Sequence, residues 1–206
     1  LIAPHVVLTA GHCLYSTRSN QLKAVTTIAP GRTRVGSSTH SPWGRWTVTD
    51  MVVLQEYRDG RGSSFDLGVA IVAPTIDDMC NVTFPGDKVG YVGLAPATDD
   101  RLQQVSIIGY PAEKPDGTMW DSGVCSNNQG WSKSGVIGFH YCDTSPGMSG
   151  SAFLSNGDTA VGVHAYGFEA LSRNGGVLLL GSFYDQVLQW SQTYMSRDCE
   201  GQQGTL

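Results

Sequence analysis

The sequence lacks a long apolar run, a basic run, a dense set of charges and any closely spaced pair of cysteines. Each absence removes a class of protein. No stretch approaches the roughly 20 apolar residues of a membrane-spanning helix, so no membrane contact is expected. No signal-peptide pattern is read in the stretch either. Thirteen Lys and Arg stand against 18 Asp and Glu, a net charge of −5 that leaves no general electrostatic case for nucleic acid. The five cysteines (Cys13, Cys80, Cys125, Cys142 and Cys199) form no Cys-x-x-Cys pair and show no metal-ligand spacing; no cofactor is expected, although a structural calcium held by loop oxygens would leave little trace in a sequence. Spread out in this way they read as a few disulfides of a secreted, extracellular protein, with one thiol left over.

What the sequence has in quantity is glycine, 26 in 206 residues, in clusters that break up short apolar runs. That pattern predicts an all-β chain rich in turns. Strands are expected over 23–28, 46–54, 67–72, 89–94, 103–110, 135–141, 152–154, 160–165 and 177–180. A change of composition around Pro74, Pro85, Pro96 and Cys80 divides the chain into a first β unit (1–75), a connecting segment (76–100) and a second β unit (101–181). One helix is expected over 182–199. Ser182 to Asp185 reads as its capping box, and Phe183, Val187, Trp190 and Tyr194 share a face. The first residues already form a strand-like run, so further residues are expected upstream of Leu1 or in another chain. Asn81-Val82-Thr83 is a glycosylation sequon, of consequence in a eukaryotic secretory host.

Three polar residues stand in distinctive settings. Asp143-Thr144-Ser145-Pro146-Gly147-Met148-Ser149-Gly150-Ser151 packs two glycines, a proline and three serines between apolar runs. It reads as a tight turn that presents a serine hydroxyl among converging backbone N–H groups. A plain hairpin loop would show the same composition. His12 lies in Leu8-Thr9-Ala10-Gly11-His12-Cys13, where a strand ends in a turn. Asp66 leads directly into the apolar run Leu67 to Val72, at the edge of a buried region where its charge needs a partner. Taken alone, one is a turn histidine and the other a turn-capping aspartate. Together their chemistry is complementary: Ser149 attacks, His12 takes the proton, and Asp66 fixes the tautomer and stabilises the imidazolium.

Thr9-Ala10-Gly11-His12-Cys13, Asp66-Leu67-Gly68-Val69-Ala70 and Gly147-Met148-Ser149-Gly150-Ser151 resemble the three active-site motifs of chymotrypsin-fold serine proteases. The resemblance implies two six-stranded antiparallel Greek-key barrels with a C-terminal helix, the first barrel lacking its N-terminal strands here. It also implies a cleft with His12, Asp66 and Ser149 as catalytic residues, and an oxyanion hole from the N–H groups of Gly147 and Ser149. Trypsin-like zymogens carry an aspartate where this chain has Met148. The Met-Ser-Gly-Ser form instead resembles the glutamyl endopeptidase branch, whose specificity pocket uses a threonine five residues before the nucleophile and a histidine fifteen after it. Thr144 and His164 occupy those offsets. Both can donate to a carboxylate. Asp143, at the position that binds arginine or lysine in trypsin-like enzymes, speaks for the other preference.

By the same resemblance the partner of Cys13 would lie upstream of Leu1, which predicts a second, short, disulfide-linked chain. The other four cysteines allow three arrangements, among them Cys125–Cys142 with Cys80–Cys199. The expected function is a secreted serine endopeptidase acting on polypeptides after glutamate. The alternatives are a preference for Arg or Lys through Asp143, or a catalytically silent binding protein on the same scaffold.

Overall fold

A computed structural model describes residues 1–126, 132–168, 173–193 and 195. Its strands gather into two main antiparallel sheets. The first orders Val6–Thr9, Gly68–Val72, Trp46–Val53 and Thr27–Ile28 side by side. Gly68–Val72 has neighbours on both edges and every residue is buried, as its uninterrupted apolar sequence requires. Its alternation then sorts side chains between two cores. Val69 and Ile71 join Val6 and Leu8 in a cluster shared with the second sheet, while Ala70 joins Leu14, Tyr15 and Val53 in a smaller cluster of the first.

The second sheet runs through Trp120–Asp121, Gln104–Gly109, Ala152–Ser155, Thr159–Phe168, Arg173–Leu178, Ile137–His140 and Ser132–Ser134. Gly93–Leu94 adds in parallel to Thr159–Phe168, and Cys125–Ser126 pairs with Gln104–Gly109. Val105, Ile107, Phe153, Val161 and Leu178 fill its interior together with the Cys125–Cys142 disulfide, whose Cα atoms are 5.5 Å apart. Among the described residues, hydrogen bonding thus joins four strands in the first sheet and nine in the second, in keeping with the expected two β units. Two short hairpins, Tyr15–Ser16 with Gln21–Leu22 and Thr33–Val35 with Ser38–His40, pair apart from the first sheet. Short segments that turn back on themselves fulfil their backbone hydrogen bonds locally.

Several expected elements differ. Over 23–28 only Thr27–Ile28 is strand, because the Val25 N–H turns back to the Lys23 carbonyl. The strand expected over 89–94 shrinks to Gly93–Leu94, and a helix, Pro85–Val89, precedes it. Pro85 stands at the start of that helix, the Asp87 carboxylate accepts the Phe84 N–H at 2.8 Å, and Gly90 at φ +74° ends it. The C-terminal helix spans Ser182–Ser191, with Gly181 as its N-cap and no side-chain capping bond; the expected Ser182–Asp185 capping box does not form. Phe183, Val187 and Trp190 pack into the shared core as expected, and Tyr194 lies outside the described residues. Phe183 also meets Phe65 edge-on at 5.8 Å, so the helix braces the turn that carries Asp66.

Candidate active site

His12 and Asp66 are assembled by the first sheet. The Val6–Thr9 strand runs into a single helical turn, Gly11–Leu14, rather than the simple turn expected, and that turn carries His12. Asp66 ends the 3-10 turn Ser63–Phe65, just before the buried Gly68–Val72 strand. Because the two strands are hydrogen-bonded neighbours, their ends meet. Asp66 Oδ2 accepts from His12 Nδ1 at 2.6 Å, and Oδ1 accepts the His12 backbone N–H at 2.6 Å. The carboxylate is 1 % exposed, so the buried charge has the partners it needs. The Asp66 hydrogen bond first, and the Cys13 side chain second, raise the His12 pKa above its ordinary value against the effect of burial.

Ser149 comes from the turn between Ile137–His140 and Ala152–Ser155. Gly147 adopts φ +97° and Gly150 φ +92°. A Cβ at Gly147 would stand 2.6 Å from the Ala112 nitrogen, and one at Gly150 would stand 2.3 Å from Thr9 Oγ1. The turn therefore needs glycine at both positions for conformation and for space. It also packs closely on the segment that bears His12: Cys13 Sγ lies 3.6 Å from the Ser149 carbonyl oxygen. Met148, in place of a charge, is buried in the second core. Among the described residues neither the Gly147 nor the Ser149 N–H is spent on a hydrogen bond. The Ser149 hydroxyl donates to the Ala165 carbonyl at 3.3 Å and forms no hydrogen bond with His12.

A pocket of about 250 Å³ opens beside Ser149, lined among others by Thr144, Ser145, His164, Tyr166 and Asn174. The Ser145 hydroxyl is spent on Glu113, and Asn174 is tied to the Cys142 carbonyl at 3.2 Å. Thr144 Oγ1 is buried and has no hydrogen-bond partner among the described residues. Asp143 is exposed and is absent from this lining. His164, 4 % exposed, sets Nδ1 3.3 Å from Nε2 of the fully buried His140. Burial pushes the His140 pKa down to about 3, with the charge of His164 adding to it. Burial likewise pushes His164 down to about 4, opposed by a backbone bond to Gly175 and reinforced by the charge of His12.

His140, Asn174 and Tyr166 were not singled out from the sequence. Tyr166 donates its hydroxyl to Asp66 Oδ2 from the opposite sheet. Nothing in the local sequence marks any of the three, because each acts through a contact made across the fold.

The remaining expected residues lie apart from this cluster. Cys13 is a free thiol, Cys80 is disulfide-bonded, and Cys199 lies outside the described residues. Asn81 is exposed, and its side-chain nitrogen donates to Asp77 at 2.7 Å, the nitrogen a glycan would occupy. No group of three or more His, Cys, Asp or Glu among the described residues is arranged to hold a metal ion. No described helix is long and apolar enough to cross a membrane.

A buried aspartate–histidine couple on one sheet and a serine on a glycine-marked turn of the other accord with a serine peptidase of the chymotrypsin fold. The family comparison agrees: residues 1–163 match the trypsin-like peptidase domain, and the chain belongs to that family. It is 28% identical over 204 residues to glutamyl endopeptidase of Bacillus licheniformis, and 27% identical over 198 residues to an extracellular metalloprotease of Bacillus subtilis. The alignments cover 94% and 93% of this chain but 58% and 56% of those proteins, so the chain spans little more than half the length of the curated relatives it matches. A solved structure of Glu endopeptidase in complex with MPD matches with a TM-score of 0.77 at 28% identity, over 93% of this chain and 83% of that one.

Proposed function

We propose that the protein hydrolyses peptide bonds in polypeptides through an acyl-enzyme and prefers glutamate on the acyl side. Ser149 attacks, His12 accepts its proton and returns it to the leaving amine, and Asp66 holds the imidazole and stabilises its charged form. The Gly147 and Ser149 N–H groups receive the developing oxyanion. The Ser149 hydroxyl first leaves the Ala165 carbonyl, since catalytic hydrogen bonds tighten when substrate binds.

The observation that carries the glutamate preference is the pairing of Thr144 and His164 in one pocket. Thr144 Oγ1 is a lining hydroxyl that stands buried without a partner among the described residues. His164 is held neutral by burial. A carboxylate entering the pocket offers both an acceptor, and its charge raises the pKa of His164, so binding favours proton uptake there. The exposed position of Asp143 speaks against its use as an arginine or lysine receptor. Cleavage of a peptide library with glutamate, arginine or phenylalanine on the acyl side tests the reading; arginine in first place would transfer the pocket role to Asp143.

One observation favours a silent binding role instead: the missing His12–Ser149 hydrogen bond. A sulfonyl fluoride probe separates the two, because labelling at Ser149 requires an activated hydroxyl. Secretion, and a disulfide from Cys13 to a cysteine outside this sequence, belong to the same proposal. The free Cys13 thiol supports the disulfide. An unchanged intact mass on reduction, with Cys13 free, would remove it.

A further inference from the structure

Both oxygens of Asp66 are engaged. Oδ1 accepts the His12 backbone N–H, while Oδ2 accepts two donors, His12 Nδ1 and the Tyr166 hydroxyl. The first two bonds come from His12 itself, in the same sheet. The third arrives from Tyr166, 100 residues further along the chain, in the second sheet. Burial, then the bond to Asp66, raises the phenol pKa, so the hydroxyl keeps its proton and acts as a donor.

The strand that bears Tyr166 explains how it reaches. Residues two apart on a regular strand share a face. Here the pairing with Arg173–Leu178 shifts register between His164 and Tyr166. The two side chains go to different partners: His164 to His140 and the pocket, Tyr166 to Asp66. Between them, the Ala165 carbonyl holds the Ser149 hydroxyl.

Building on the triad proposed above, we infer that Tyr166 is a positioning residue: by donating to Asp66 Oδ2 it orients the carboxylate and moderates how strongly that carboxylate supports the His12 imidazolium. An oxygen that shares its charge with a phenol has less to offer the imidazole beside it. The ring of Tyr166 lies 6.1 Å from that of His12 and also forms part of the pocket wall. A wall alone has no use for the hydroxyl. The competing acceptor is the Ser63 carbonyl, 3.2 Å from the same oxygen. Among the described residues, the titratable groups around the couple are Cys13, Tyr57, Tyr166 and His164. Removing the phenol hydroxyl leaves the other three in place.

The test is Tyr166→Phe, which keeps the ring and deletes the donor, with the thermal midpoint checked against the parent protein. His12 is titrated by NMR in both proteins, with Asp66→Asn as the reference for a lost carboxylate. The expected result is a His12 midpoint raised by about half a pH unit or more in Tyr166→Phe. The acid limb of kcat/KM for a glutamyl peptide should move by the same amount, with KM nearly unchanged. An unmoved midpoint overturns the inference and assigns the hydroxyl to Ser63. A raised KM with an unmoved pH profile also overturns it and leaves Tyr166 as pocket wall. If the midpoint moves but the parent protein neither cleaves peptides nor labels with a sulfonyl fluoride, the proposed activity fails while the Tyr166–Asp66–His12 coupling stands.

Discussion

The two halves of the site are built on opposite plans. In the first sheet, the His12–Asp66 couple is closed: a buried carboxylate, both oxygens bonded, fixed by two adjacent strand ends. In the second sheet, the Ser149 turn and its pocket are open. Two backbone N–H groups and one buried hydroxyl have no partner among the described residues, and two histidines are held neutral by burial. The difference accords with the roles proposed for the two halves. A proton acceptor works best when its geometry is set beforehand, whereas groups that bind substrate and oxyanion must be left unspent. Unspent polar groups destabilise a fold, and the second half sits on the larger sheet, with the Cys125–Cys142 disulfide in the core cluster that also holds Met148.

Substitutions that break each half separately should show the contrast. Ser149→Ala removes the nucleophile and should lower turnover by on the order of 10⁶, with sulfonyl fluoride labelling lost and the unfolding curve unchanged. Asp66→Asn breaks the closed half. It leaves the shape but reverses the hydrogen-bonding partner of His12, and kcat should fall about 10⁴-fold with KM little altered.

His164→Gln acts on the open half. A hydrogen bond to a charged group contributes about 1.5–3 kcal/mol, so kcat/KM for glutamyl peptides should fall roughly 10- to 100-fold. Phenylalanyl peptides should be affected far less, and an equal loss on both would remove His164 from specificity.

A separate effect is on stability. His140 and His164 stay neutral in the fold down to about pH 3 and 4, while in the unfolded chain they take up protons below about 6.5. The unfolded state therefore binds more protons in that window. Each histidine should cost about 1.4 kcal/mol of stability per pH unit as the pH falls through it. Urea midpoints measured from pH 7 to 4 should fall less steeply in His140→Gln; an unchanged slope would mean His140 is not a buried neutral base.

The parts of this contrast that the sequence displayed are those that depend on local chain. His12 at a strand end, Asp66 before an apolar run and Ser149 in a doubly glycine-marked turn each carry their signal within a few residues. The Cys125–Cys142 bond formed as one of the expected arrangements. Pro85 announced a helix start that the strand expectation over 89–94 overlooked, and Gly181 took the capping role expected of Ser182. Hidden altogether were His140, Asn174 and Tyr166, whose partners lie 24, 32 and 100 residues away. A contact of that kind leaves no period or spacing to read. Register shifts such as that between Val48 and Asp50 were equally out of reach, since they depend on the neighbouring strand.

The three consecutive residues His164, Ala165 and Tyr166 bear on any attempt to redesign the protein. They touch the pocket, the Ser149 hydroxyl and the Asp66 carboxylate in turn. A library that varies only the pocket histidine will also disturb the backbone carbonyl next to it and the phenol beyond, so selectivity and rate will trade against each other from the first round. Exchanging residues 164 and 165 together, with Tyr166 and the opposing Gly175 and Gly176 retained to preserve the Asp66 contact and the shifted register, gives new preferences a route that leaves the His12–Asp66 couple undisturbed.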